Sequence, residues 1–485
     1  MSTTLQPTDD QGRRATPGYD QDEAYLESLG YRQELKRVLG FFSSFAIQFT
    51  GIAVAGGVFL VFGYGLTTIG PAVLLAWVVA GALQLVVGLS VAEATSAYPL
   101  AGGAYQIINR LASVKLGWQV GWWLLMAHIA ALSAEAVGLA PFIAAWFGGD
   151  ELSRSETLLL GFGLIALCTV INVVGVRLAA LVNNAGVVAE LFAFSTIIVA
   201  LVIALLIGSH DFHSPSFFTQ DGGAVAGDTF VLLPFLFALL VPAFVISGFD
   251  VNGTAGEETT KAARNVPRGM MTANVTAYLF GTLGIGLIVL AIRDLPGAME
   301  SSAPITFILR DALNPFLARF FEVLAIVALF VNMVVLQLTA ARIIWAQARD
   351  GQMPMAGALT KLNANRIPVV ATLLVAVIGV TFTLWSSLLT VLIAMTAILW
   401  AAGYAVLVAV THVAKRQGRL PDRPWVNRHW KLIDAVAFVW SVGLCVILIR
   451  QDWEKVGLGF LAVVVIGAVV YFVGIPADRR GRTTR

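Results

Sequence analysis

The chain has 485 residues, of which 58% are hydrophobic and 12% charged, with a net charge of +2 and a mean hydropathy of +0.82. Soluble domains carry roughly 25% charged residues, so this composition excludes an ordinary water-soluble fold, and the near-neutral charge gives no ground for a nucleic-acid partner. Apolar runs of about 20 residues, each enough to cross ~30 Å of hydrocarbon, recur along the chain. The ~10-residue alternating segments of a membrane barrel do not, and the expectation is an all-α polytopic protein whose solvent is the lipid bilayer.

Taken in order, residues 1–40 are polar and lack the apolar core of a signal peptide. They are expected as a cytosolic arm, largely disordered, in which "LESLGYRQELKRVLG" is a candidate interfacial helix. A transporter-sized domain, 41–475, follows. Its twelve expected spans are 41–68, 70–97, 117–147, 156–175, 178–208, 228–258, 269–292, 315–345, 367–385, 387–411, 433–450 and 456–475, ahead of a cytosolic tail, 476–485. Of the 31 Lys and Arg residues, this arrangement puts 25 on the face of the termini and 6 on the other. Positive charge concentrates on the cytosolic side, which favours an even number of spans, both termini in the cytosol and a cell (inner) membrane location. "PITFILRDAL" (304–313) is expected to lie on the outer surface as an amphipathic helix. Cys168 and Cys445 fall inside apolar runs as small hydrophobes, with no disulfide framework implied.

Two spans carry interruptions at mid-membrane depth. The first contains "TGIAVAGGVF" and the sixth "FVISGFDVNGTAGEE". Irregular backbone at that depth is tolerated only beside a cavity or buried in protein, and paired interruptions in matching spans point to a transporter's binding site. Freed N–H groups at a half-helix start suit a carboxylate, freed carbonyls suit an ammonium, and glycine lets both approach. The plainer reading is that these glycines allow close helix packing.

With those segments in place the chain resembles an amino acid–polyamine–organocation permease, most closely the amino acid/choline branch that includes GABA and choline permeases. The resemblance rests on "ELKRVLGFFSSFAIQFTGIAVAGGVFLVFGYGLTTIGP", "LSVAEATSAYPLAGGAYQ", "GFDVNGTAGEETTKAARNVPRGM" and "ARIIWAQARDGQMP", in that order. It implies the leucine-transporter-type fold: ten helices in a five-plus-five inverted repeat, with two more at the C-terminus. It also implies an unwound stretch from Gly51 through Gly57, including Ile52 and Ala53, in which Ala55, Gly56 and Gly57 offer N–H groups to a substrate carboxylate. A second unwound stretch would run from Ile246 through Ser247 and Gly248 to Asp250, with Phe244 lidding the substrate or serving as core.

Ionisable groups inside spans are functional candidates. Glu190 in the fifth span and Asp250 in the sixth are expected to include the proton-coupling site, because a carboxylate shut away from water can load and release a proton. A fixed hydrogen bond, or a pair with a substrate amine, is the alternative. In some proton-coupled relatives the position of Glu190 holds a lysine, a departure that matters here. Glu135 and His128 in the third span are weaker candidates. Glu93, Glu257, Glu258, Arg342 and Arg349 sit near cytoplasmic ends and are expected to form an inner gate or locking network. Asn183, Asn184 and Asn332 are expected to hydrogen-bond between helices.

The function these features imply is secondary active transport of an amino acid or related small amine (GABA, choline or a polyamine), by proton symport and alternating access. An obligate amino acid/amine exchanger and a non-transporting solute sensor are the alternatives. Of the five histidines only His128 is deep in a span, so no pair can clamp a haem, and no GxxxxGK(S/T) loop for a nucleotide occurs. No enzyme activity, metal or cofactor is expected.

Overall fold

A computed structural model of the chain describes residues 23–24, 26–27, 30–35, 37–146, 152–220, 232–385, 389–477 and 479–480. Most of the polar arm expected at the N-terminus, and residues 481–485 of the tail, lie outside them. The apolar runs are helical: α1 (Phe41–Ile52), α2 (Val54–Ile69), α3 (Val73–Ala97), the short α4 (Ala104–Leu111), α5 (Val114–Trp146), α6 (Arg154–Val174) and α7 (Val176–Ile207). They continue as α8 (Leu232–Ala238), α9 (Leu240–Val245), α10 (Ala262–Leu290), α11 (Pro304–Ala312), α12 (Pro315–Arg349), α13 (Val369–Trp385), α14 (Leu389–Arg416), α15 (Trp430–Gln451) and α16 (Leu458–Val469). Among the described residues nine helical runs are long and apolar enough to cross a bilayer, and Leu232–Val245 and Val369–Leu384 are shorter apolar helices. The chain is an all-α polytopic membrane protein.

Local chemistry sets the helix ends. Gly70, at φ +62°, and Pro71 break the continuous run between α2 and α3, since proline cannot continue a helix and glycine alone takes this φ readily. Ser153 and Glu156 close a reciprocal capping box on α6. Asn314 caps α12, with Pro315 at its first position. The expected outer helix forms as α11, burying Ile305, Ile308, Leu309 and Ala312 and exposing Arg310 and Asp311.

Burial divides the helices into a centre and a rim. α5, α12 and α14 are largely enclosed by protein, and the two interrupted spans sit among them. α6, α7, α15 and α16 turn apolar faces outward; Leu206 on α7 and Val473 in the turn that follows α16 are each 78% exposed. Lipid tails are as apolar as these side chains, so such a surface is stable in a membrane where water would penalise it.

The segment before α1 departs from expectation. Of the stretch expected as a helix, Leu26 and Glu27 are helical, whereas the described residues of 31–40 form no helix and run extended along the face that carries the termini. Val38 and Leu39 donate their N–H groups to the Glu258 carbonyl at 2.9 Å, and Thr260 donates back to the Leu39 carbonyl at 2.8 Å. Pairing with the chain beyond span six satisfies backbone groups that a helix would otherwise satisfy internally. At the start of the strap the Tyr31 hydroxyl donates to Asp350 at 3.0 Å and to Gln106 at 3.1 Å, with the Arg349 guanidinium 4.2 Å from its ring centre.

Burial, and then the negative charge of Asp350, push the Tyr31 phenol up to about 12 from its ordinary value of 10.0. A group whose proton is held more tightly in the folded state contributes stability below its unfolded value and loses it as pH rises through the folded one. The strap is therefore expected to hold to about pH 10 and detach towards pH 12, with a tyrosinate absorbance change accompanying protease access to residues 30–40. In Tyr31→Phe that pH-linked step should be absent and access raised at neutral pH.

Candidate functional site

The first interruption is narrower than the sequence suggested. Backbone from Gly51 to Gly57 was expected to be unwound; the break is confined to Ala53, left-handed at φ +46°. Gly51 and Ile52 end α1, and Ala55, Gly56 and Gly57 lie in the first turn of α2. A left-handed alanine costs about 1–2 kcal/mol, so the surroundings must enforce it. They do so by close packing. A Cβ on Gly51 would meet Val251 at 2.9 Å, one on Gly57 would meet Val245 at 3.2 Å, and one on Gly56 would overlap Leu329 of α12. These three glycines thus let the two interrupted spans and α12 approach one another, as the plainer reading had it.

The second interruption matches its expected place. α9 ends at Val245, Ile246 to Asn252 form turns, and Gly248 is left-handed at φ +66°. Beyond it the chain enters a 3₁₀ turn, Gly253–Glu258, rather than an α-helix. Phe244, Ile246, Ser247 and Gly248 are all buried.

Two glutamines hold this break open, and the sequence reading passed over both. Gln48 of α1 donates to the Gly248 carbonyl at 3.1 Å and accepts from the Asn252 N–H at 3.4 Å. Gln84 of α3 donates to the Ser247 hydroxyl at 2.9 Å and the Ala243 carbonyl at 3.3 Å, and accepts from the Trp440 indole at 3.1 Å. Unwinding frees backbone groups that must find partners in a dry interior, and these amides supply them. The signal was available: each is an uncharged polar residue in an otherwise apolar run. Gln48→Leu is expected to strand the Gly248 carbonyl and the Asn252 N–H at about 1–3 kcal/mol, measured as a lower unfolding midpoint, whereas Gln48→Glu should restore only the acceptor.

The two expected acidic residues bond to different elements. Glu190, at the middle of α7 and 2% exposed, accepts the Ala55 N–H at 2.8 Å. It therefore sits on one of the N–H groups expected to receive substrate. Asp250, 1% exposed, accepts from the Tyr404 hydroxyl of α14 at 2.6 Å through Oδ1, while buried Oδ2 has no protein donor. The Tyr404 ring lies 5.2 Å from that of Phe249, and Trp400, one turn before Tyr404, stands edge-on to His128 at 5.5 Å. A Cβ on Gly248 would be 3.4 Å from the Trp400 ring. Tyr404 and Trp400 went unremarked in the sequence because aromatic residues in an apolar helix look alike until their facing is known.

Glu135 of α5 accepts from Asn332 of α12 at 2.6 Å, and its other oxygen is buried without a donor. Asn332 thus bonds between helices as expected, whereas neither side-chain atom of Asn183 has a hydrogen-bond partner.

The five residues expected as one locking network form two clusters on the face of the termini. In one, Glu258 takes Arg342 at 2.7 and 2.8 Å and Glu257 takes Arg349 at 2.9 and 3.0 Å, linking the segment after the second break to α12. Glu257 also accepts the Ala101 N–H at 3.0 Å, and Gln33 of the strap donates to its carbonyl at 2.9 Å. In the other, Glu93 of α3 is held by Lys415 at 2.7 Å, by Arg423, and by Asn427 at 3.1 Å. On the opposite face a cavity of about 670 Å³ opens beside α11, lined by Arg293, Asp294, Arg310, Asp311 and Glu322.

The sequence model of a family described as amino acid permease matches residues 39–476, which takes in both interruptions and both ion-pair clusters. The chain is 28% identical over 399 residues to the amino-acid permease BAT1 of Arabidopsis thaliana, covering 76% of each chain. It is 24% identical over 357 residues to the branched-chain amino acid permease BcaP of Bacillus subtilis, covering 70% of this chain and 73% of that one. It is 26% identical over 334 residues to the aromatic amino acid transport protein AroP of Corynebacterium glutamicum, covering 67% of this chain and 69% of that one. A match over most of the length shows that this chain belongs to the amino acid permease family, and it is an amino acid transporter rather than an enzyme.

Proposed function

We propose that the protein is a proton-coupled symporter in the cell membrane, with twelve crossings and both termini in the cytosol, working by alternating access around the two interruptions. The observation that carries this is the Glu190 carboxylate on the Ala55 N–H. A buried acid with no cationic partner among the described residues, set on the backbone break of a transporter, is placed to exchange a proton as the break rearranges. Asp250 is the second candidate for coupling, with one oxygen on Tyr404 and the other free to meet a substrate amine. The freed N–H groups near Ala53 and carbonyls near Gly248 suit the two ends of a zwitterion. Related amines such as GABA, choline or a polyamine belong to the same reading, favoured by the unpartnered Asp250 oxygen and the Trp400–Tyr404 aromatic wall.

Ion pairs on the face of the termini and the cavity on the opposite face support an arrangement shut towards the cytosol. The test is uptake into proteoliposomes of labelled amino acids, GABA and choline under an inward proton gradient. Accumulation should follow the gradient in the wild type, and lose that dependence in Glu190→Gln, in Asp250→Asn, or in both. Uptake that ignores the gradient and needs internal solute would establish exchange instead.

A further inference from the structure

The first N–H groups of a helix lack intrahelical acceptors and carry partial positive charge. In α2 one of these groups, that of Ala55, is already engaged by a carboxylate from within the protein, Glu190 Oε1 at 2.8 Å. Glu190 reaches it from α7, 135 residues away in the sequence, and is almost wholly buried.

Among the described residues no charged side chain is paired with Glu190. α7 packs against α1, α2, α6, α10 and α12. α1 has no ionisable residue, and Tyr64 of α2 bonds away from Glu190 to Gln451. Arg154 and Glu156 on α6, Arg264 and Arg268 on α10, and Arg319, Glu322, Arg342 and Arg349 on α12 all lie within about two turns of their helix ends. Tyr278 of α10 donates to the Val78 carbonyl at 3.3 Å, and Cys168 of α6 lies near Glu135. On α7 itself Arg177 stands 13 residues, about 20 Å, from Glu190. Among the described residues the hydrogen-bond partner of Glu190 is the uncharged Ala55 N–H, and no ion pair to it forms.

Resting on the transport reading above, we propose that Glu190 is a tethered competitor for the substrate carboxylate. Its carboxylate holds the Ala55 N–H until a substrate carboxylate takes that N–H from it. Displaced, Glu190 has lost its donor in a dry interior, with no cation paired to it among the described residues. It therefore binds one proton from solution, and the carboxylate becomes a neutral acid. One N–H group then links substrate binding to proton uptake, since the two carboxylates cannot share it as anions. An amine without a carboxylate makes no claim on the Ala55 N–H and leaves Glu190 in place.

The experiment is calorimetry on the purified full chain in lipid nanodiscs. The probes are leucine, phenylalanine and GABA, and their decarboxylated counterparts isoamylamine, phenethylamine and propylamine. Wild type, Glu190→Gln and Glu190→Ala are compared, the glutamine variant keeping the shape if alanine fails to fold. The amino acids should bind the variants about fivefold or more tightly than the wild type, the worth of one charge-assisted hydrogen bond over a neutral one. Amine binding should be unchanged. Wild-type binding of an amino acid should take up about one proton, read from the buffer dependence of the heat, and the variants none. Equal weakening of acids and amines in the variants would overturn the proposal in favour of Glu190 pairing with the ammonium. So would amino acid binding to the wild type without proton uptake, while the transport reading survived. Binding of none of the six to any of the three proteins would bring down both.

Discussion

Glu93→Ala is expected to lower stability by about 3–5 kcal/mol, the usual result of removing one partner from a buried charge cluster. The Glu93 side chain is fully enclosed and meets Lys415, Arg423 and Asn427. Lys415 is 3% exposed and shares its ammonium with Asp434 at 3.1 Å. Without Glu93, Lys415 remains shut from water with Asp434 as its remaining carboxylate, and the partly buried Arg423 loses its carboxylate partner. The unfolding midpoint in detergent should fall sharply, and Lys415→Met on the Glu93→Ala background should recover part of the loss. If the single variant unfolded like the wild type, the cluster would have to be hydrated rather than dry. Because it joins α3 to α14 and the loop before α15, away from both breaks, uptake per folded molecule should change little.

Cutting Glu258 from Arg342 should have an effect of similar size but a different kind. Both side chains are 5% exposed and meet through two hydrogen bonds, the geometry that makes an Arg–carboxylate pair strong. The pair spans the second break and α12, and the adjoining Glu257–Arg349 pair does the same. If these elements separate during transport, Glu258→Gln should shift the balance of states as well as stability. Hydrogen exchange should quicken at 253–258 and 342–349 while α5 stays protected. A double-mutant cycle of Glu258→Gln with Arg342→Met should give a coupling of about 3 kcal/mol. Uniform loosening of the whole chain would mean that the pair only holds the fold, not a gate.

The strap belongs to this same machinery. Tyr31 lies against Arg349 and bonds to Asp350, Gln33 reaches the Glu257 carbonyl, and Val38 and Leu39 pair with Glu258. The stretch "LESLGYRQELKRVLG" was expected as an interfacial helix ahead of the first span. The strap took an extended form because the chain leaving the second break offers it unpaired backbone.

Much of the membrane architecture was legible in order of residues alone. Lipid demands long apolar runs with their backbone satisfied internally, so α5, α6, α7, α13 and α15 begin and end within about three residues of the expected spans, whereas α10 begins seven residues early and α4 lies outside every expected span. The second break was legible too, because Gly248, Asp250 and Asn252 crowd polar and flexible residues where a span should be plain. The first break was placed but drawn too wide. The resemblance implied seven unwound residues, yet glycine can serve a close helix contact as readily as an open backbone. Only the positions of Val245, Val251 and Leu329 show which use each glycine has.

The sequence by itself determined the solvent, the helices, the charged face and the presence of acids at depth, since each depends on composition or on neighbours along the chain. The tertiary structure decided the pairings: Gln48 and Gln84 on the second break, Glu93 apart from Glu257 and Glu258, Tyr404 on Asp250, and Glu190 on Ala55. Residues more than a hundred positions apart meet through packing that no local periodicity encodes, and in a dry interior it is the partner that determines what a buried polar group can do.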